Sequence, residues 1–209
     1  MRLAQLPVGM LATNCYLVAD DAGRCAVIDP GSHTEKILKK AEEEGFTIEA
    51  ILLTHGHFDH VMAAPGIQKA TGAKLYIHKN DQPDLAPEVA GHRGYLREPY
   101  VMPQVDGNLE EGAEIRVGDL TFRVLHTPGH TLGSCVLLCG DLMFSGDTLF
   151  AGTCGRCDLA GGSLEQMFAS LKKLAQLEGD YKVLPGHMEA STLETERQTN
   201  PYVLEGLNR

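Results

Sequence analysis

Ala50-Ile51-Leu52-Leu53-Thr54-His55-Gly56-His57-Phe58-Asp59-His60 is an apolar run that ends in four potential metal ligands within six residues. The run reads as a strand, and the ligands sit at its mouth. His55 and His57, two apart on extended backbone, project to the same side, while Asp59 and His60 lie beyond the next bend and face a second position. Neutral imidazole and carboxylate suit Zn, Fe or Mn, and no cysteine is interleaved as in a closed structural zinc site. A lone histidine at a strand end is ordinarily a solvated polar group. Four ligand types together are not explained that way.

Three later segments repeat the arrangement of a ligand type at the end of an apolar run: Thr127-Pro128-Gly129-His130, Ser145-Gly146-Asp147-Thr148 and Leu184-Pro185-Gly186-His187. Each glycine permits a tight turn that aims a strand-end side chain into a cleft. Around these points, short β-branched runs alternate with helical patterns, which predicts one continuous α/β unit over residues 1–209. Strands are expected at Cys15 to Ala19, Cys25 to Asp29, Ala50 to Thr54, Lys74 to His78, Ile115 to Val117, Leu120 to His126, Cys135 to Leu138, Leu142 to Ser145 and Lys182 to Leu184. Gly118-Asp119 and Gly140-Asp141 read as hairpin turns.

Ser32 and Glu35 have capping-box spacing and predict a helix from Ser32 to about Gly45, burying Ile37, Leu38 and Ala41. Ser163 and Gln166 predict another that buries Leu164, Met167, Phe168, Leu171, Leu174 and Ala175. Weaker helical patterns cover His60 to Ala70, Leu85 to Leu96 and Thr192 to Thr199. The Pro- and Gly-containing stretch from Asn80 to Leu109 is long for a connection and suits a lid.

With 18 Lys+Arg against 28 Asp+Glu, the formal charge is −10 and no basic block is present. That balance removes the attraction to phosphate backbones that most nucleic-acid binding needs. Pro7 and Gly9 break the first residues before any long apolar run, so neither a secretory signal nor a spanning helix is expected, and a cytoplasmic location follows. Six scattered cysteines in a chain of 209 residues argue against a disulfide framework.

His55-x-His57-x-Asp59-His60 followed by His130, Asp147 and His187 resembles the metallo-β-lactamase superfamily, over about Thr13 to His187. Gly146-Asp147-Thr148-Leu149-Phe150, with Cys154 beside Gly155-Arg156, resembles its glyoxalase II (hydroxyacylglutathione hydrolase) branch, in its short single-domain form. The resemblance implies a four-layer αββα sandwich with two divalent metal ions, zinc or alternatively Fe or Mn, between the loop ends of two sheets. Carried over position by position, His55, His57 and His130 hold the first ion, Asp59, His60 and His187 the second, and Asp147 bridges both. It also implies a bridging hydroxide as nucleophile between ions about 3.5–4 Å apart, with Asp59 as the group that orients it or accepts a proton. The expected substrate is a small acyl-thioester. A mononuclear iron persulfide dioxygenase and a lactonase or β-lactamase of the same superfamily are the alternatives.

Arg156, Arg93, Tyr95 and Arg97 are the candidate substrate contacts, Arg156 also as a group to position Asp59, and His92 lies among them. Glyoxalase II continues past its last metal histidine with a helical region that contacts glutathione. The 22 residues after His187 carry only Arg197 and Arg209 as cations, so weak discrimination for glutathione is expected. His78 and His126 end apolar strands and read as hydrogen-bonded structural histidines, and Cys154-Gly155-Arg156-Cys157 out of helical context reads as a chance C-x-x-C.

Overall fold

The computed structural model describes residues 1–90 and 100–209. The first sheet takes its strands in chain order: β1 (Arg2–Val8), β2 (Thr13–Ala19), β3 (Arg24–Ile28), β4 (Thr47–Leu52), β5 (Lys74–Ile77) and β6 (Gly107–Asn108). β1 to β3 pair antiparallel and β3 to β6 parallel. The second half of the chain supplies β7 (Glu114–Val117), β8 (Leu120–His126), β9 (Cys135–Cys139) and β10 (Leu142–Gly146). It continues with a small ribbon, β11 (Leu149–Phe150) with β12 (Thr153–Cys154), and then β13 (Lys182–Pro185) and β14 (Ser191–Thr192). Without the ribbon, these form a second sheet in the order β14-β13-β10-β9-β8-β7. Gly118 and Gly140 make the expected hairpin turns at φ 55 and 59.

Alternation along the strands sorts side chains into two faces, both buried. Tyr16, Val18, Ala26, Ile28 and Leu52 meet Phe122, Val124, Leu137 and Phe144 in a core between the sheets. Leu17, Val27 and Ile51 instead face α1 (Thr34–Glu44) and α3 (Ala64–Thr71), beyond the short α2 (Phe58–Val61). A four-residue 3-10 turn at Gln82–Leu85 and α4 (Pro87–Ala90) follow. On the far side, Val136, Leu138, Met143 and Val183 pack on α5 (Leu164–Ala175), α6 (Leu193–Thr199) and α7 (Pro201–Asn208) through Met167, Leu171, Leu174, Leu193 and Val203. The layers are therefore α, β, β, α, as the resemblance implies. Burying each large apolar side chain contributes roughly 1.5–3 kcal/mol, so all three buried layers hold the sandwich together.

Several local expectations are corrected. Ser32 does not cap α1: His33 takes a left-handed turn at φ 61 and the helix begins at Thr34, so the capping box never forms. Leu164, expected in the core, is 49% exposed because it opens α5 on the solvent side, although Ser163 caps that helix by accepting from the Gln166 N–H. β1 was not among the expected strands; it lies at the sheet edge, where Pro7, with no N–H to donate, is tolerated. Of the expected helix from Leu85 to Leu96, only the turns up to Ala90 are described, and β1, β6, the ribbon, β14 and α7 are additional.

β8 runs antiparallel to β9 and β9 to β10, while β10 and β13 are parallel, so β8, β10 and β13 all point one way. Their C-terminal ends, carrying His130, Asp147 and His187, share one edge of the second sheet. The end of β4 meets that edge, because the Cys135 N–H donates to the Thr54 carbonyl at 2.8 Å. A second seam lies at β2, where the Asn14 side-chain amide donates to the carbonyls of Pro185 and Met188 and the Tyr16 hydroxyl to Pro185 at 2.7 Å.

Candidate metal centre

All seven expected ligands converge where the two sheets' strand ends meet. Ligand atoms of His55, His57 and His130 lie within 4.8 Å of one another, and so do those of Asp59, His60 and His187. Asp147 sits between the groups: its Oδ1 is 3.5 Å from His60 Nε2, and its Oδ2 is 3.5 Å from His130 Nε2 and 3.6 Å from His187 Nε2. Two of the three glycines act as expected, since Gly129 and Gly146 adopt φ 144 and 49. Gly186 is different. Its φ is ordinary, and its role is close approach, because a Cβ there would lie 2.3 Å from Asp147 Oδ1 and 2.6 Å from His60 Cε1.

Hydrogen bonds on the outer side of the rings fix which nitrogen faces inward. His60 Nδ1–H donates to Asp29 Oδ2 at 2.9 Å, His130 Nδ1–H to the Arg156 carbonyl at 2.8 Å and His187 Nδ1–H to the Leu11 carbonyl at 3.2 Å. Thr54 Oγ1 donates to Asp29 at 2.6 Å, so its oxygen accepts from His55 Nδ1–H at 3.1 Å. With each outer proton engaged, the four Nε2 lone pairs point into one space. His60 and His187 then bring two acceptor nitrogens to 3.3 Å, and His57 Nδ1 lies 2.8 Å from His130 Nε2. Converging lone pairs repel unless a proton or cation lies between them. His55 Nε2 and Asp147 Oδ1 are buried with no hydrogen-bond partner among the described residues, a state that normally costs about 1–3 kcal/mol each. Borderline-soft imidazole with hard carboxylate is a donor set for Zn or Fe, and these residues fit such ions.

Charge within the site is strongly redistributed. Burial lowers the His55 pKa well below its ordinary value, with the neighbouring histidines adding to the effect. For His60, burial acts downward but is overcome by Asp147, Asp29 and Asp59, which push it up to about 9. Asp59 is held below the usual carboxylate range: burial acts upward, but its bond to His187 and the imidazoles' positive charge outweigh it, with a hydrogen bond from Thr13 Oγ1 at 3.0 Å.

Arg156 reaches the site through its carbonyl and does not position Asp59, because its guanidinium makes a two-pronged pair with Asp158 at 2.7 and 2.8 Å. His92, Arg93, Tyr95 and Arg97 lie outside the described residues. His78 and His126 are structural, as expected: His126 Nε2–H donates to the Leu132 carbonyl at 2.9 Å and His78 Nδ1 accepts from the Asn80 N–H at 3.2 Å. Cys154 and Cys157 pack against the α5 core, and burial pushes the Cys154 thiol up to about 12, away from thiolate chemistry. Sequence reasoning missed Asp29, Thr54, Thr13 and Asp81. Asp29 carried a usable signal, since it too ends an apolar run, Cys25 to Asp29.

The model of the metallo-beta-lactamase superfamily matches residues 8–187. The chain is 37% identical over 208 residues to a probable metallo-hydrolase, YqgX, of Bacillus subtilis, covering 97% of this chain and 98% of that one. It is 32% identical over 215 residues to hydroxyacylglutathione hydrolase GloC of Haemophilus influenzae, again covering 97% and 98%. Among solved structures, TTHA1623 in a di-iron-bound form superposes with a TM-score of 0.84 at 38% identity, covering 95% of this chain and 99% of that one. By its matched residues, its four layers and its histidine–aspartate cluster, the chain belongs to the metallo-beta-lactamase superfamily, as a metal-dependent hydrolase of that fold.

Proposed function

We propose that the protein is a dinuclear hydrolase of small acyl-thioesters, with His55, His57 and His130 holding one ion, Asp59, His60 and His187 the other, and Asp147 joined to both. The observation that carries the reading is the Asp147 carboxylate, whose two oxygens stand 3.5–3.6 Å from ring nitrogens of both groups. Two divalent ions bound there supply Lewis acidity toward a carbonyl and a water that ionises near pH 7, from about 15.7 in bulk. Around them the chain's own residues do the positioning. Thr13 pins one oxygen of Asp59, leaving the carboxylate set to orient a water at the open face. Asp29, the Arg156 carbonyl and the Leu11 carbonyl keep the rings in the metal-binding tautomer.

The likeness to hydroxyacylglutathione hydrolase GloC supports a thioester as substrate, and the di-iron neighbour supports iron beside zinc as the native metal. A cytoplasmic setting is supported by six cysteines that are all unpaired. Among the described residues, no helix is long and apolar enough to cross a membrane.

Metal analysis joined to a substrate panel tests the proposal. Two ions per chain and turnover of lactoylglutathione, with little loss on a truncated thioester of the same acyl group, are expected. A single iron with His60 and His187 uncoordinated and oxygen uptake on a persulfide would overturn it, as would faster turnover of a lactone or β-lactam than of any thioester.

A further inference from the structure

Asp81 belongs to neither group of ligand atoms, yet it is 1% exposed and ties together the two loops that carry the three-histidine group. Its Oδ2 accepts from the Gly56 N–H at 3.0 Å and from Thr131 Oγ1 at 2.6 Å, and its Oδ1 accepts from the Gly133 N–H at 2.7 Å. Gly56 lies between His55 and His57, and Thr131 directly follows His130. The contact is close on both sides. A Cβ on Gly133 would sit 2.5 Å from Asp81 Oδ1, and one on Gly56 would sit 2.8 Å from the Asp81 carbonyl. Neighbouring residues reinforce the junction: the Asn80 side-chain amide donates to the Leu132 carbonyl at 3.3 Å, and the His78 ring stacks on His126 at 4.2 Å with 6° between planes.

We propose that Asp81 is a positioning residue that sets the separation of the His55–His57 loop from the His130 loop, and thereby the affinity of the three-histidine site alone. The proposal rests on the reading that His55, His57 and His130 hold an ion. Selectivity follows from the partners, because Asp59, His60 and His187 are oriented by Thr13, Asp29 and the Leu11 carbonyl, with no contact from Asp81. A carboxylate is needed because three donors converge on it. An asparagine of the same shape presents its own N–H to at least one of them, and that donor is left buried and unmade.

The test is a Co2+ titration of the full chain in two backgrounds, His187→Ala to isolate the three-histidine site and His57→Ala to isolate the other. Asp81→Asn should weaken Co2+ ten- to a hundredfold in the first, the range for groups that orient ligands, and leave the second nearly unchanged. Amide exchange at Gly56 and Gly133 should accelerate in the same variant. Equal weakening in both backgrounds, or none in the first, overturns the proposal. If His187→Ala with native Asp81 binds no Co2+, the two-ion reading fails, and unaltered exchange at Gly56 and Gly133 would still overturn the role of Asp81. Thr131→Val, which removes one donor of the three, should give the same ordering on a smaller scale. It replaces Asp81→Asn should that variant fail to fold.

Discussion

The loop from His55 to His60 and the three strand ends at His130, Asp147 and His187 do the same job by different means. The loop places four side chains in six residues and holds them with side chains, the buried carboxylates of Asp29 and Asp81 and the hydroxyl of Thr54. The strand ends contribute one candidate ligand each and rely more on backbone, the carbonyls of Arg156 and Leu11 and the close approach at Gly186, with Asp81 shared through the Thr131 hydroxyl and the Gly133 N–H. One half is therefore sensitive to a change of charge, and the other to an added carbon.

Asp147→Ala should have the largest effect, because it removes a carboxylate that faces both groups of ligand atoms and would leave two bound cations unscreened. Turnover should fall on the order of a thousandfold, the scale seen on losing a key electrostatic stabiliser, and metal content should drop at both positions by elemental analysis. Retention of two ions would break the bridge and with it the comparison.

Asp29→Asn and Gly186→Ala form a pair that sharpens the contrast. Asparagine keeps the shape at Asp29 but only one of its two acceptor oxygens, so its NH2 faces either the Thr54 N–H or His60 and the Thr54 hydroxyl, and metal affinity should fall ten- to a hundredfold with the fold retained. At Gly186 the new methyl carbon displaces Asp147 and His60, and a melting experiment should show about 1–3 kcal/mol of destabilisation from overpacking. If Gly186→Ala melted like the native chain and Asp29→Asn did not fold, the assignment of charge to one half and space to the other would be reversed.

Where the halves touch, His78 from the end of β5 stacks on His126 from the end of β8. Burial, then His126 and Lys79, lower the His78 pKa from 6.5 to about 4, so the folded protein holds it neutral. Protonation favours the unfolded chain, and stability is lost as pH falls from about 6.5 towards 4. His78→Gln should flatten that limb by on the order of 1–2 kcal/mol in urea melts at pH 7 and pH 4. An unchanged slope would place its cause in the carboxylates. The smallest effect is expected at Cys157→Ser, which should leave turnover nearly intact, since that thiol packs against apolar neighbours and its pKa is raised by burial. Loss of turnover with metals retained would give the C-x-x-C a chemical role.

The two halves were not equally legible. Four ligands in one short run announce themselves, and the Gly-plus-ligand endings of β8, β10 and β13 repeat a pattern that local chemistry explains. The nine anticipated strands match because each carries apolar residues that the core takes up, on both faces in β2, β9 and β10 and on alternate positions in β8. Asp81 was invisible, since its partners lie 25 to 52 residues away and nothing in His78 to Asp81 marks a buried carboxylate. Ser32 shows the opposite failure: its spacing with Glu35 was right for a cap, but the close approach of Gly31 to the Asp59 carbonyl governs the backbone there. β1 was missed because Arg2 to Val8 contains Pro7, and the sequence does not say which strand will be an edge.

The seam at Asn14 and Tyr16 has a consequence for how the protein is born. Asn14 is hydrogen-bonded to Pro185, 171 residues later, and the same contact seats His187 beside Asp59. Contacts so distant along the chain form late, because loop closure must precede them. During synthesis, the His55 to His60 loop leaves the ribosome long before His130 or His187 exists, so an ion captured early is held by an incomplete set of donors. The proposed centre is complete only when β13 docks, which would couple final metal retention to closure of the whole sandwich.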